Sequence, residues 1–247
     1  MLLTYANNFY GYGYGGRGLY FDWTYLLVLA GLVLSLLAQG KVKSTFAKYS
    51  KIRSRSGLTG AEAAQRVLAS AGIYDVSIQR VSGNLTDYYD PRSKVLKLSD
   101  STYGSDSVAA VGVAAHECGH AIQDDVDYVP LRFRSAFVPV ANIGTQIAWP
   151  ILLIGLLFTK SYLLIQIGLL CFFFGVLFQL ITLPVEFNAS ARAVRILENT
   201  GMLDQEELRG TRKVLSAAAM TYVAAAAASI LSMLRLILLF GGNRRRD

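Results

Sequence analysis

The sequence predicts a mainly α, multi-pass membrane protein with a small cytosolic α+β insert built around an H-E-x-x-H helix, and three observations carry that expectation. Charged residues make up 17% of the 247-residue chain while AVILMFWYC reaches 53%, a balance suited to lipid rather than to a water-facing surface. Four apolar stretches approach the ~20 residues needed to cross a bilayer. The 2 histidines of the whole chain sit together in His116-Glu117-Cys118-Gly119-His120. The same composition excludes a disordered chain or a coiled coil, and 2 Cys and 5 Pro exclude disulfide scaffolds and proline-rich designs.

Residues 1–20 are Gly/Tyr-rich, with YGYGYGG within Tyr10 to Gly16, and read as a mobile arm. The first span, 21–39 (FDWTYLLVLAGLVLSLLAQ), places Trp23 and Tyr25 at an interface. Its amino-terminal flank has one basic residue, Arg17, and no small-x-small cleavage site follows, so it reads as an anchor rather than a cleaved signal peptide. Lys41, Lys43, Lys48, Lys51, Arg53 and Arg55 come next, with no acid before Glu62. That is a signal-anchor pattern with the amino terminus outside. This run largely accounts for the net charge of +7. It lacks the aromatic–basic interleaving of a nucleic-acid site and suits anionic lipid instead, so no nucleic-acid partner is expected.

Residues 40–135 then form the cytosolic region. Thr59-Gly60-Ala61-Glu62 is a capping box for a helix through about Ala71, stopped by Gly72, with Ala64, Val67, Leu68 and Ala71 on one face. Val76 to Val81 and Lys94 to Leu98 alternate like strands, with turns at Ser82-Gly83-Asn84 and Asp90-Pro91-Arg92-Ser93. A small antiparallel sheet is the expectation. Ser105-Asp106-Ser107 opens a helix through about Gln123.

The remaining chain is read as a transmembrane hairpin over 136–184, turning at Thr159-Lys160-Ser161, then a cytosolic helix region 185–213 and a fourth span 214–240. The basic tail 241–247 carries Arg244, Arg245 and Arg246, which a fourth span would put outside, against the positive-inside bias. Arg235 within a leucine-rich stretch adds to the conflict. Either the alanine-rich part Ser216 to Ser229 is a cytosolic or half-buried helix, or the tail is tolerated outside.

On a helix, residues four apart differ by about 40° in direction, so His116 and His120 leave one face a turn apart. That spacing lets two imidazole nitrogens reach one Zn²⁺ at about 2.0–2.1 Å. Glu117 can reach a water on the metal without being a ligand. Cys118 points away and reads as packing. An ionisable Glu on the Ala/Val-rich segment VAAVGVAAHE is costly without a partner.

A catalytic zinc usually takes three protein ligands. The longer H-E-x-x-H-x-x-G-x-x-H pattern fails, because Gln123 and Val126 stand where Gly and His belong. With no third His, the third ligand should be a carboxylate. Asp124 and Asp125 follow too closely on the same helix end. Glu186 emerges as the hairpin returns to the cytosolic face at Pro184 and is the better candidate. Glu198, Asp204, Glu206 and Glu207 read as exposed helix-end charges. One Zn²⁺ per chain is expected, since Cys118 and Cys171 cannot build a second site.

HECGHAIQ, FDWTYLL, QGKVKSTFAKYSK, YDPRSKVLKLS, LPVEFNASARA and TYVAAA together resemble the YugP-type neutral zinc metallopeptidases of bacterial membranes. The resemblance runs from about Phe21 to the tail. It implies a membrane-embedded gluzincin, similar in plan to the HtpX and CAAX-processing proteases, whose second motif is E-x-x-x-D. Glu186 then matches the metal-binding Glu, while Ser190 stands where those relatives have Asp. Ser190 or Asn188 would have to support a ligating His instead.

The expected function is therefore zinc-dependent endopeptidase activity on a peptide or membrane-protein substrate, with Glu117 as general base at a site facing the cytosol of a bacterial cell membrane. Tyr222 and Arg192 are candidate donors for the oxyanion, and Lys94 to Leu98 a candidate edge for an extended substrate. The alternative is a catalytically inactive zinc-binding membrane scaffold, which would tolerate any residue at position 117. A transporter is disfavoured, because Gln146, Gln166 and Gln179 are the large polar groups of the first three spans.

Overall fold

The computed structural model describes residues 22–159 and 161–240. The expected arm, the basic tail and Lys160 of the hairpin turn lie outside them. The elements run α1 (Tyr25–Tyr49), α2 (Gly60–Ser70), β1 (Ser77–Val81), β2 (Tyr88–Asp90), β3 (Val95–Ser99), α3 (Asp100–Tyr103), α4 (Val108–Asp125), α5 (Val129–Leu153), α6 (Tyr162–Asn199) and α7 (Gln205–Phe240). A π-helical turn, Ile154–Phe158, prolongs α5. The protein is a mainly α membrane protein with a small sheet. The helices α1, α5 with its π turn, α6 and α7 are each long and apolar enough to cross a membrane.

Two of these helices run on past the expected boundaries. Pro184 does not end α6, which continues to Asn199, and α7 starts at Gln205 rather than near Val214. Residues 185–213 are thus the end of one long helix, a short loop and the start of another. A helix leaving lipid keeps its backbone groups paired by staying helical until other partners are available.

α7 also packs antiparallel along α1. A Cβ on Gly31 would lie 2.9 Å from the Ala228 Cα, and one on Gly210 would meet the Tyr49 ring at 2.8 Å. The Arg235 guanidinium lies 4.0 Å from the centre of the Tyr25 ring. Small residues let two backbones approach closely where lipid gives no hydrophobic drive. The alanine-rich segment is accordingly part of a full-length helix beside α1.

The part outside the four candidate spans is built around α4. Thr59 and Glu62 form the expected capping box on α2, and Gly72 (φ +77°) supplies the left-handed conformation that stops it. Ala63, Ala64, Val67 and Leu68 of α2 pack with Leu96 and Leu98 of β3 and with Ala114, Ala115 and Cys118 of α4, all buried.

The sheet differs from the antiparallel expectation. Its order is β1-β3-β2, with β1 parallel to β3 and only β2 antiparallel to it. The short β2, without a clear alternating signal of its own, takes the hairpin partner's place. β3 is therefore the central strand and offers no free edge. The edge next to α4 belongs to β2.

Candidate metal centre

Ser107 starts α4 by accepting a hydrogen bond from the Ala110 amide at 3.2 Å. From there α4 is buried nearly all round, which small side chains allow. At Gly119 an added Cβ would lie 2.6 Å from the Ala189 carbonyl oxygen, so only glycine permits this approach of α4 to α6. Across that contact, two histidines and one glutamate converge.

Nε2 of His116 and Nε2 of His120 lie 3.4 and 3.6 Å from Oε2 of Glu186. One ligand atom from each of the three residues fits within a 4.8 Å cluster. A tetrahedral zinc with bonds of about 2.0–2.1 Å puts its ligand atoms roughly 3.4 Å apart. Glu186 is 2% exposed, and its Oε2 is buried with no hydrogen-bond partner. A buried carboxylate oxygen without a donor is costly, and a cation between it and the two imidazoles removes that cost. The residues present fit a zinc ion.

The far side of each imidazole is also held. Nδ1 of His116 lies 3.1 Å from the Ser190 hydroxyl, and Nδ1 of His120 lies 3.0 Å from Oε1 of Gln123. The polarity of the second contact can be derived. Arg192 can only donate, and its Nε reaches Oδ1 of Asn188 at 2.8 Å. Asn188 therefore presents its oxygen, to which Nε2 of Gln123 donates at 3.0 Å, as it also donates to the Val185 carbonyl at 2.8 Å. Gln123 is left with Oε1 towards His120, so Nδ1 of His120 carries the proton and Nε2 keeps its lone pair. This is the tautomer a metal needs.

Glu117 faces two adjoining cavities, of about 470 and 190 Å³, that share Asp87, Glu117, Glu186 and Tyr222 in their walls. Burial pushes its carboxyl group above the ordinary glutamate range. The larger cavity is bordered by His120, by Arg134 of α5 and by Tyr88, Tyr89 and Asp90 of β2. An Arg134 nitrogen lies 3.5 Å from Oε1 of Glu186.

Other candidates are employed elsewhere. Asp124 accepts from the Tyr89 hydroxyl at 2.9 Å and pairs with Lys94 and Arg132, each at 3.3 Å, tying β2, the turn before β3 and α5 to the end of α4. Glu198 pairs with Arg212, Asp204 with Arg55, and Glu207 accepts from the Asp204 amide. Cys118 contacts the Ala64 carbonyl, and burial raises its thiol pKa well above the usual range. Of the two candidate oxyanion donors, Tyr222 lines the site, whereas Arg192 is bound to Asn188 and does not border the cavities. Sequence reasoning missed Arg134, which no motif or spacing singles out. It also took Gln123 only as a failed glycine, although a polar residue three places after His120 on a helix is within reach of its ring.

The fold and this cluster define a membrane-helix protein in which two histidines and a glutamate are placed to hold a metal ion. A family model described as "Putative neutral zinc metallopeptidase" matches residues 24–241, and the chain belongs to that family. It is 48% identical over 218 residues to "Putative membrane protease YugP" of Bacillus subtilis (strain 168), covering 88% of this chain and 96% of that relative. No solved structure matches the chain.

Proposed function

We propose that the protein is a membrane-embedded, zinc-dependent endopeptidase holding one Zn²⁺ per chain through His116, His120 and Glu186, with Glu117 as general base. The observation that carries this reading is the unpartnered Oε2 of Glu186 between two imidazole nitrogens. Bound there, zinc supplies a Lewis acid that activates water near neutral pH and polarises a carbonyl. Glu117 takes the proton of the attacking water and passes it to the leaving amine, a role that its raised pKa suits. Tyr222 and Arg134 border the same cavity and can donate to the developing oxyanion. An extended peptide would add along β2, the edge strand that borders the cavity, rather than along β3.

The proposed orientation places this site in the cytosol, following the basic flanks of α1 and α7. A reporter fused after Lys160 should then read extracytoplasmic, and one after Glu198 cytosolic. The reaction itself is tested by metal analysis of protein purified without chelator, alongside casein cleavage. About one zinc per chain is expected, with cleavage lost on chelation and restored by zinc. Metal-free protein that zinc cannot activate would sink the proposal. Zinc-bound protein that never cleaves would favour the inactive scaffold.

A further inference from the structure

On the side of the membrane that carries the metal centre, a groove of about 800 Å³ runs between α1 and α7. Its origin lies in the packing. The two helices touch closely at Gly31–Ala228 and again at Tyr49–Gly210. Between those contacts, hydroxyl side chains (Ser44, Thr45 and Ser216) leave a gap.

Five basic residues line that gap: Lys41 and Lys48 from α1, and Arg209, Arg212 and Lys213 from α7. No acidic residue lines it. Arg212 is paired with Glu198 at 3.3 Å, and among the described residues the other four form no ion pair. Like charges brought together from two helices repel unless an anion lies between them.

The depth of the groove says where the anion comes from. Leu34, Leu37, Lys41, Ser44 and Lys48 follow one face of α1, at spacings of three and four. Leu34 and Leu37 are exposed, at 43% and 66%, as befits contact with acyl chains. Lys41 comes one turn later, ~6 Å along the axis, within the layer of ~5–7 Å that headgroups occupy on each side of the hydrocarbon. On α7 the change falls at a matching place, where exposed Met220 gives way to Ser216 and Lys213. Both helices thus turn from apolar to basic at one level, with a cavity between them.

We propose that this groove binds the phosphate group of an anionic phospholipid, with the acyl chains lying along Leu34 and Leu37. Such a site would seat α7, which carries Tyr222, against α1 through a lipid as well as through direct contacts. It is separate from the metal centre and does not depend on the proposed chemistry.

The test uses the full-length, zinc-loaded protein in micelles containing equal amounts of phosphatidylglycerol and phosphatidylcholine, with retained lipid measured by mass spectrometry. The parent should retain phosphatidylglycerol in preference. Lys41→Gln/Lys213→Gln should lose about tenfold of that preference, and Lys43→Gln/Lys51→Gln, with the same change in charge outside the groove, should keep it. Ser44→Trp, which fills the groove and leaves every charge in place, should also lose it. Equal retention of both lipids by the parent overturns the proposal, as does equal loss in the two charge variants. Retained preference in Ser44→Trp overturns it too. Displacement of the lipid by about 10 mM inorganic phosphate, well short of what screening alone would require, would assign the groove to a soluble anion instead.

Discussion

The contact of α4 with α6 and the contact of α1 with α7 are made by the same device and serve different ends. In both, a glycine meets an alanine: Gly119 against Ala189, where a Cβ would lie 2.6 Å from a backbone oxygen, and Gly31 against Ala228, where it would lie 2.9 Å from a backbone carbon. Around Gly119 the neighbours are sealed, with Ala115, Cys118, Ala189 and Ala193 at 0% exposure. Around Gly31 the leucines of α1 face outward. In the first region close approach fixes the distance between nitrogen and oxygen donors. In the second it only lets two helices share contact area where lipid competes equally for it. Equal geometry therefore implies unequal tolerance of change.

The sharpest way to break the comparison is at the site itself. Glu117→Gln should lower peptide cleavage by about 10²- to 10⁴-fold with zinc content unchanged, because an amide cannot take the water's proton. Glu186→Gln should lose cleavage too, but through weaker zinc, since a neutral oxygen replaces an anion beside a dication. Zinc titration against a competing chelator separates the two. If Glu186→Gln holds zinc as tightly as the parent, the α4–α6 contact does not deliver a ligand, and Glu198, Asp124 and Asp125 become the candidates.

The next effect compares the glycines directly. Gly119→Ala should force α4 away from α6 and destabilise the protein by roughly 1–3 kcal/mol, with a measurable loss of zinc affinity. Gly31→Ala also requires a shift, but α1 can yield into lipid, so zinc affinity should stay at the parent value. Chelator competition on both variants checks this. An equal loss of affinity would mean that the bundle and the metal centre move as one.

The same contrast explains what could be read in the sequence. The spans, the capping box of α2 and the His116–His120 pair depend on local period and spacing, and all of them were legible. Glu186 was legible because the hairpin between α5 and α6 returns the chain to the face that carries α4. The parallel pairing of β1 with β3 was not, because two alternating segments joined through a turn suggest a hairpin, and β2 gives little signal of its own. Arg134 is not legible for a related reason: its partner Glu186 is more than fifty residues away, and no spacing rule spans that distance. Gln123 is different: its place three residues after His120 is a local signal, and only its other partners, Val185 and Asn188, are distant.

The smallest effect should come from the outermost link in the chain of hydrogen bonds behind His120. Arg192 touches neither the cavities nor the proposed metal; it holds the Asn188 amide, which orients Gln123, which fixes the tautomer of His120. Arg192→Met removes the one member of this chain that cannot reverse its polarity. Asn188 and Gln123 are then free to flip together, apart from the pull of the Val185 carbonyl on Gln123. In the flipped state Gln123 would direct its NH₂ group at Nδ1 of His120 and favour a proton on Nε2, where the metal binds. Zinc affinity should fall by about tenfold, at the low end for groups that act through a ligand. Arg192→Lys, still an obligate donor, should restore most of it. That rescue separates orientation from simple packing, because methionine and lysine fill similar space. Unchanged affinity in Arg192→Met would show that the Val185 carbonyl alone sets the polarity.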